Sequence, residues 1–278
     1  MYWILQNNIF REEAYDGLIG VLQRFELPYK EYRVVPFLGT LLPLTHEGEI
    51  DPAYSDDLLS ALTGPVITMG SYSMRHAAKT YGFKPGVFDL METGSFEYCM
   101  EHWGEHMLNG DSIVTSFEGA IWPESEERFI RPTDDSKYFA GTMMESIAFR
   151  EWQHKVCVLK LDYGNSLTPE TLIQVAKPKR IYTEYRCWVV KGCIVTMSLY
   201  KRGDTVVYQN MDGLLGDEAR AFANQVLQIG WLPAEAFCLD VCETEDGWKI
   251  VEVNTLNSCG LYSANLTSLV TALEHAFN

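Results

Sequence analysis

The N-terminal part of the chain alternates between short strand-like runs and longer segments with a helical period. Residues 2–6, 31–36 and 65–70 have the composition of strands. Between the first two runs, residues 12–25 place their apolar side chains on one stripe, which is typical of an amphipathic helix. Alternating strands and helices predict a parallel α/β layer. Ligands of such layers bind beyond the carboxyl ends of the strands, where Gly70 lies.

The pattern changes after a segment rich in Gly and Pro at residues 81–86, which we expect to be a linker. Short turns separate four strand-like segments between residues 171 and 210, which predicts an antiparallel run there. A polar stretch, residues 133–141, is expected to be a loop. The strand-like segments are 112–120, 128–132, 171–176, 181–190, 193–202, 205–210, 237–243 and 248–254. The segments expected to be helical are 95–108, 142–154, 217–229 and 263–276.

Composition and charge exclude several classes of partner. The 278 residues are 47% hydrophobic, which allows a large core, and the net charge is −16. Because phosphate contacts need a basic surface, we expect neither nucleic acid nor an anionic membrane as a partner. The sequence has no stretch of about 18 apolar residues and no basic N-terminal segment, so we expect neither a membrane span nor a signal peptide. Seven scattered cysteines without a CxxC pair indicate reduced thiols in the cytoplasm, while homo-oligomerisation stays open.

Two carboxylates lie on the segments of a predicted C-terminal hairpin, and the loop between them decides whether they meet. A two-residue turn at Asp246 and Gly247 would place Asp240 and Glu252 on opposite faces of the sheet. A three-residue loop that also includes Glu245, with Gly247 in a left-handed bulge, pairs Asp240 directly with Glu252. The spacing alone leaves both registers open.

Directly opposed carboxylates destabilise a sheet unless a cation lies between them. Oxygen ligands that are few and carboxylic suit Mg²⁺, and Asn254 adds a neutral oxygen near Asp240 and Glu252. These three residues are therefore candidate metal ligands. In the alternative interpretation, both acids are ordinary solvated residues on an exposed face of the sheet.

An Asp on one strand followed by Glu-x-Asn on the next resembles the magnesium signature of the ATP-grasp superfamily. RFIRP (128–132) resembles the strand that carries a phosphate-binding lysine before proline, although Arg131 occupies the lysine position here. TLIQVA (171–176) and IYTEYRCWVV (181–190) resemble the adenine hinge and the strand after it. With arginine at this position, the chain resembles the ATP-grasp clade known for an arginine–lysine exchange, most closely its third family. The resemblance covers roughly residues 65–275.

The resemblance implies a mixed α/β fold with an N-terminal parallel pre-ATP-grasp layer and two ATP-grasp subdomains that clasp the nucleotide. The implied domains are residues 1–84, a lid subdomain at 85–176, and a C-terminal subdomain with the magnesium site at 177–278. The implied cofactors are ATP and Mg²⁺.

The resemblance also assigns roles to individual residues. Arginine suits phosphate because its planar fork binds two oxygens and stays charged. The implied residues near phosphates or an acidic substrate are Arg131, Arg186 and Arg202, with Lys137 in the loop that closes over the phosphates. Those implied around the nucleotide are Gln174, Val175 and Ala176 at adenine, Glu184 at the ribose, and Asn257 toward the acyl substrate.

Each assignment has a simpler alternative. Arg131 and Arg186 could simply offset surface acids, since the chain has 38 acidic residues and only 22 basic ones. Glu184 could be an exposed strand residue, and Lys137 an ordinary solvated lysine in a polar loop. Gln174 and its neighbours would be plain core if no nucleotide binds.

The chemistry implied by the resemblance is ATP-dependent ligation of a small-molecule carboxylate to an amine through an acylphosphate. An amino-acid-like or peptide-like substrate is expected, and its identity is not readable from the sequence. Two alternatives stay open. One is a non-catalytic ATP-binding module, and the other is a kinase that stops at phosphoryl transfer.

Overall fold

The chain folds into two compact units, and the computed structural model describes most of their residues. The described residues are 1–7, 13–35, 38–45, 48–51, 57–133, 139–160, 167–213 and 217–278. The first unit comprises residues 1–89, 183–241 and 253–278, and the second comprises residues 90–182 and 242–252. The division predicted from sequence into three domains stays a prediction.

The first sheet is mainly parallel, as the alternating N-terminal pattern predicts. Its order is β3-β2-β1-β4-β5, with β1 parallel to β2 and β4, β4 parallel to β5, and β3 antiparallel at one edge. Its strands are β1 (Tyr2–Gln6), β2 (Tyr29–Val35), β3 (Thr40–Pro43), β4 (Val66–Met69) and β5 (Pro85–Gly86). The helices of this segment are α1 (Glu13–Arg24), α2 (Asp57–Ser60) and α3 (Met74–Tyr81).

The linker expected at residues 81–86 is wrong in its last two residues. Pro85 and Gly86 form β5, which pairs in parallel with Val66 and Ile67 of β4. Proline fits there because an edge position does not require its missing N–H, and Gly86 adopts a positive φ of 64°. A two-residue edge strand has no alternation of its own, so the hydrophobic pattern does not reveal it.

The second unit contains a four-stranded sheet in the order β6-β9-β7-β8, in which the described pairings are antiparallel. Its strands are β6 (Ile113–Ser116), β7 (Glu127–Pro132), β8 (Thr142–Glu145) and β9 (Leu172–Ala176). The helices of this unit are α4 (Phe96–Trp103) and α5 (Ser146–His154). A core of aromatic and branched residues lies against this sheet, including Phe117, Trp122, Phe149 and Ile173.

Two sequence-based predictions in this unit need correction. The helix expected at residues 142–154 begins only at Ser146, because the preceding four residues pair with β7 as strand β8. The strand at 171–176 belongs to the four-stranded sheet rather than to the antiparallel run that follows it. No helix in the described ranges is long and apolar enough to cross a membrane.

The third sheet has the order β12-β11-β10-β13-β14, and its antiparallel pairs β10–β11 and β11–β12 confirm the predicted run from 181 to 210. The chain passes between the two units within β10, β13 and β14. The strands are β10 (Ile181–Val190), β11 (Cys193–Arg202), β12 (Thr205–Asn210), β13 (Ala236–Thr244) and β14 (Gly247–Thr255). The helices that follow them are α6 (Asp217–Leu227) and α7 (Leu266–Phe277).

The largest core of the first unit joins its N-terminal strands to its C-terminal elements. Trp3 and Leu22 lie in the same cluster as Trp188, Cys238 and Leu269, and each is at most 1% exposed. Burying aromatic and aliphatic side chains together is the main favourable term in folding. This cluster therefore holds segments that are far apart in sequence within one unit.

The side chain of Asn257 connects backbone segments of the first unit through hydrogen bonds. Its Nδ2 donates to the backbone oxygens of Thr68 at 2.6 Å and Gly86 at 3.2 Å, while the backbone N–H of Phe88 donates to its Oδ1 at 2.8 Å. Its own carbonyl accepts from the backbone N–H of Gly70 at 2.8 Å. The residue is 1% exposed, so these groups have little access to water.

We expect Asn257→Ala to lower the free energy of unfolding by about 3 kcal/mol, because buried backbone groups of β4 and β5 lose their hydrogen-bond partners. Urea unfolding followed by circular dichroism measures this loss. Asn224 is exposed on α6, and Asn224→Ala should change the free energy of unfolding by less than about 0.5 kcal/mol. Equal effects of the two substitutions would contradict the structural role of the Asn257 amide.

Candidate functional site

The most buried charges predicted to be functional form one ion pair in the first unit. On β10, Arg186 donates from Nε to Asp240 Oδ1 at 2.8 Å and from Nη2 to Oδ2 at 2.6 Å. The side chain of Arg186 is 6% exposed and that of Asp240 on β13 is 1% exposed. Two parallel bonds of this kind fix both side chains in orientation as well as in charge. The alternative that Arg186 merely offsets surface acids is therefore wrong.

Further groups hold the guanidinium of Arg186 from other sides. Its Nη1 donates to the carbonyl oxygen of Cys259. The rings of Tyr262 and Tyr200 lie 4.5 Å and 5.7 Å from the guanidinium carbon, within the range of cation–π attraction. Burial alone would lower the pKa of Arg186, but the Asp240 carboxylate raises this pKa well above its usual value. Arg186 is therefore permanently charged and tightly oriented.

Asn254 joins the same polar group from β14. Its Nδ2 donates to Asp240 Oδ2 at 3.3 Å. Two of the three predicted metal ligands, Asp240 and Asn254, thus lie side by side in the first unit.

Glu184 is a buried carboxylate, so the alternative that it is an exposed strand residue is wrong. It is 7% exposed, its Oε2 accepts from the Tyr200 hydroxyl at 2.8 Å, and its Oε1 lies 3.0 Å from Lys201 Nζ. Burial raises the pKa of the Tyr200 phenol, and the negative charges of Asp240 and Glu184 raise it further. Tyr200 therefore stays protonated and donates to Glu184. The predicted ribose contact of Glu184 stays a prediction.

In the second unit, Arg131 on β7 pairs with Glu252 on β14. Arg131 Nη1 lies 2.7 Å from Glu252 Oε2, and the two side chains are 25% and 30% exposed. The structure thus brings together a residue predicted to bind phosphate and one predicted to bind metal. Because both side chains keep partial access to solvent, water weakens the attraction between them.

Gln174 on β9 lies directly opposite Arg131 in the antiparallel ladder of the second unit. The side chain of Gln174 is nearly buried, and its Oε1 lies 3.4 Å from Ser112 Oγ. Val175 packs into the core of this unit, and Ala176 is 1% exposed. Contacts of Val175 and Ala176 with adenine would therefore have to use backbone atoms, as the resemblance implies.

The remaining predicted site residues are Arg202, Lys137 and Asn257. Arg202 is exposed at the end of β11, where it pairs with Thr205 of β12. Lys137 lies outside the described residues. The side chain of Asn257 is engaged with backbone groups, and its role near a substrate stays a prediction. Among residues that the sequence reasoning missed, Tyr200 and Tyr262 surround Arg186, and no local motif marks them.

Of the two hairpin loops that the spacing leaves open, the local backbone favours the three-residue loop. Gly247 has the positive φ of 92° that a left-handed bulge requires. Asp240 belongs to the first unit and Glu252 to the second, so their pairing across the hairpin stays a prediction.

The donor chemistry of the candidate metal ligands suits a hard cation. Asp240, Glu252 and Asn254 offer only oxygen ligands, which fit Mg²⁺ better than the softer transition metals. Across the described segments, no group of three or more His, Cys, Asp or Glu side chains is arranged to hold a metal ion. Within the first unit, Asp240 and the amide oxygen of Asn254 would supply two of the ligands of a magnesium ion, and its other ligands would have to be further oxygens.

A comparison with family models decides the assignment. Residues 107–273, more than half of the 278-residue chain, match the model of the ATP-grasp domain in family 3 of the arginine–lysine exchange clade. The chain belongs to this ATP-grasp family. No curated protein sequence matches the chain. The predicted fold class and family are thereby confirmed.

Solved structures share the fold of this ATP-grasp protein at low sequence identity. D-cycloserine synthetase DcsG superposes with a TM-score of 0.59 and 12% identity, covering 99% of this chain and 98% of that one. D-alanine–D-alanine ligase from Bacillus anthracis superposes with a TM-score of 0.57 and 11% identity, covering 99% and 91%. The ATP-grasp ligase PsnB, complexed with a minimal precursor, gives 0.52 and 10%, covering 99% and 98%. At these identities, the likeness concerns the fold.

We expect Arg186→Ala to lower the free energy of unfolding of this ATP-grasp protein by about 3–5 kcal/mol, because it leaves the Asp240 carboxylate buried without its cation. Arg150 and Glu124 form an exposed pair, with side chains 46% and 68% exposed. The control Arg150→Ala should lower the free energy by less than about 1 kcal/mol. Urea unfolding measures both, and a loss for Arg186→Ala no larger than for the control would contradict the account.

Proposed function

We propose that this protein is an ATP-dependent carboxylate–amine ligase that acts through an acylphosphate intermediate. Membership of the ATP-grasp family supports ATP as the nucleotide. The observation that carries the proposal is the pairing of Arg131 with Glu252. In this pair, the arginine that we assign to phosphate binding lies next to the carboxylate that we assign to metal binding. The second pair, Arg186 with Asp240, supplies a rigid carboxylate next to Asn254.

We assign phosphate binding to Arg131. Its planar guanidinium presents donors in a fork that matches two phosphate oxygens, and its partial exposure lets it leave Glu252. Lys137 would add a second positive charge, and Arg202 would contribute a third from the exposed end of β11. Gln174, with the backbone of Val175 and Ala176, would line the adenine, and Glu184 would accept from the ribose hydroxyls.

Asp240, Glu252 and Asn254 would hold Mg²⁺ through their oxygens. When bound there, Mg²⁺ would neutralise negative charge on the phosphate oxygens of ATP. Arg186 keeps the Asp240 carboxylate oriented and prevents the reorganisation that a mobile acid would need during the reaction.

The reaction needs orientation and charge stabilisation more than proton transfer. The substrate carboxylate attacks the γ-phosphorus of ATP, the bond to the bridging oxygen breaks, and ADP leaves. The amine then attacks the acyl carbon, phosphate leaves with the bonding electrons, and the amine loses a proton. Positive side chains such as Arg131 stabilise the charge that develops on the transferring phosphoryl group.

An amino-acid-like or peptide-like carboxylate is the proposed substrate class. The fold neighbours include a D-alanine–D-alanine ligase and an ATP-grasp ligase complexed with a minimal precursor, which supports this class only at the level of the fold. We propose small-molecule substrates in the cytoplasm.

One assay separates the ligase from its two alternatives. ADP and phosphate are measured with ATP and Mg²⁺, with and without candidate acids and amines. A ligase releases phosphate only when both an acid and an amine are present. A kinase yields ADP and a stable phosphorylated acid without an amine. A binding module yields no ADP with any acid although it binds ATP.

We expect Glu252→Gln to reduce ADP formation by at least about 100-fold while leaving the circular dichroism spectrum unchanged, because the amide lacks the charge that holds the cation. Glu245 is exposed in the turn of the same hairpin, and the control Glu245→Gln should retain activity. Unimpaired turnover of Glu252→Gln would rule out Glu252 as an essential metal ligand.

Arg131→Ala should weaken ATP binding by about 10-fold or more, because one charge-assisted contact to phosphate contributes on the order of 1.5–3 kcal/mol. Isothermal titration with a non-hydrolysable ATP analogue measures the change. Arg128 lies on the same strand and pairs with Glu126, so Arg128→Ala is the matched control. Equal affinities of the Arg131→Ala and wild-type proteins would exclude Arg131 from the phosphate site.

A further inference from the structure

Two buried cysteines in the first unit lie in contact, and the proposed ligase chemistry uses neither of them. Cys238 lies on β13 and Cys259 follows the short turn after β14, and their sulfur atoms are 2.9 Å apart. The scattered spacing of the cysteines in the sequence does not reveal this contact.

The geometry of this pair is close to that of a cross-link. The distance of 2.9 Å between the sulfurs is less than about 1 Å longer than the bond of about 2.05 Å in a disulfide. Both residues belong to the same core cluster, so the surrounding packing already holds the two sulfurs against each other. A small displacement of the two side chains is therefore enough to form the bond.

Burial distinguishes the two residues. Cys238 is 0% exposed as a whole residue, whereas Cys259 is 7% exposed. Because both are buried, we expect only an oxidant as small as hydrogen peroxide to reach them, and to meet the less buried Cys259 before Cys238. Cys259 is therefore the sulfur that would react first, and Cys238 is placed to react with the product.

We infer that Cys238 and Cys259 form a reversible disulfide when the protein meets hydrogen peroxide. The Cys259 thiol loses its proton and the thiolate attacks one peroxide oxygen. The O–O bond breaks, a sulfenic acid forms, and the released hydroxide takes up a proton in place of the one that the thiol lost and leaves as water. The Cys238 sulfur then attacks the Cys259 sulfur, the S–O bond breaks, and the oxygen leaves as a second water molecule. Two thiols are oxidised while one peroxide is reduced, and a thiol reductant reverses the link.

The link would join two parts of the chain that contact the Arg186–Asp240 pair. Cys238 precedes Asp240 by two residues on β13, and the carbonyl of Cys259 accepts from Arg186. The bond would close a loop from residue 238 to residue 259, which contains the rest of β13 and all of β14. Closing a loop restricts the unfolded chain, so the oxidised protein should unfold at a higher urea concentration than the reduced protein.

The test uses the full chain, fully reduced and then treated at low protein concentration with a small excess of hydrogen peroxide. Remaining thiols are alkylated under denaturing conditions, and non-reducing peptide mass spectrometry locates the cross-link. We expect a peptide pair joining Cys238 to Cys259 and a higher urea midpoint, both reversed when the protein is reduced by dithiothreitol in urea and then refolded. Sulfinic acid at Cys259 beside a free Cys238, or a lower urea midpoint, would overturn the inference.

Variants separate the two roles. Cys238→Ser should leave Cys259 as a sulfenic acid, because the sulfur that resolves it is gone, and dimedone traps this acid when the oxidised protein is unfolded in urea. Cys187 is buried in the same sheet, and Cys187→Ser is the control that should keep the cross-link. Loss of the link in Cys187→Ser would contradict the assignment. If Cys238→Ser does not fold, the mapping of the wild-type and control proteins still decides the outcome.

Discussion

The buried ion pair between Arg186 and Asp240 is the interaction on which the candidate site of the first unit depends. A carboxylate that is 1% exposed is stable only with a cation and hydrogen bonds that replace water. That requirement holds Arg186 of β10 next to Asp240 of β13. It also accounts for the other contacts, since Tyr262 lies over the guanidinium, Asn254 donates to Asp240, and the Cys259 carbonyl accepts from Nη1, the guanidinium nitrogen that does not contact Asp240.

The second unit repeats the pairing of an arginine with a carboxylate at a more exposed position. Arg131 and Glu252 are a quarter to a third exposed, so water partly screens their attraction. A rigid, buried pair keeps a charged side chain in one orientation. A looser, more exposed pair suits side chains that replace each other with phosphate or metal as partners. Because of this contrast, we assign to Arg186 the orientation of the proposed metal ligand Asp240, and to Arg131 and Glu252 the binding of ligands that replace their present partners.

Local patterns in the sequence were sufficient for most strands and helices, because alternation and helical stripes are local properties. The sheet to which β9 belongs and the short edge strand β5 were not predictable, because strand pairing depends on distant segments. The same limit applies to the site. Glu252 and Arg131 were predicted individually, yet their direct pairing joins residues 121 positions apart. The backbone contacts of Asn257 were missed for the same reason.

A crystal structure with a non-hydrolysable ATP analogue and Mn²⁺ tests the central claim most directly, because the anomalous signal of Mn²⁺ locates the metal independently of the protein density. The account predicts one metal peak bound by oxygens of Asp240, Glu252 and Asn254, with the nucleotide phosphates reaching toward Arg131. Metal and phosphates bound at other residues, with the Arg131–Glu252 pair intact, would contradict it.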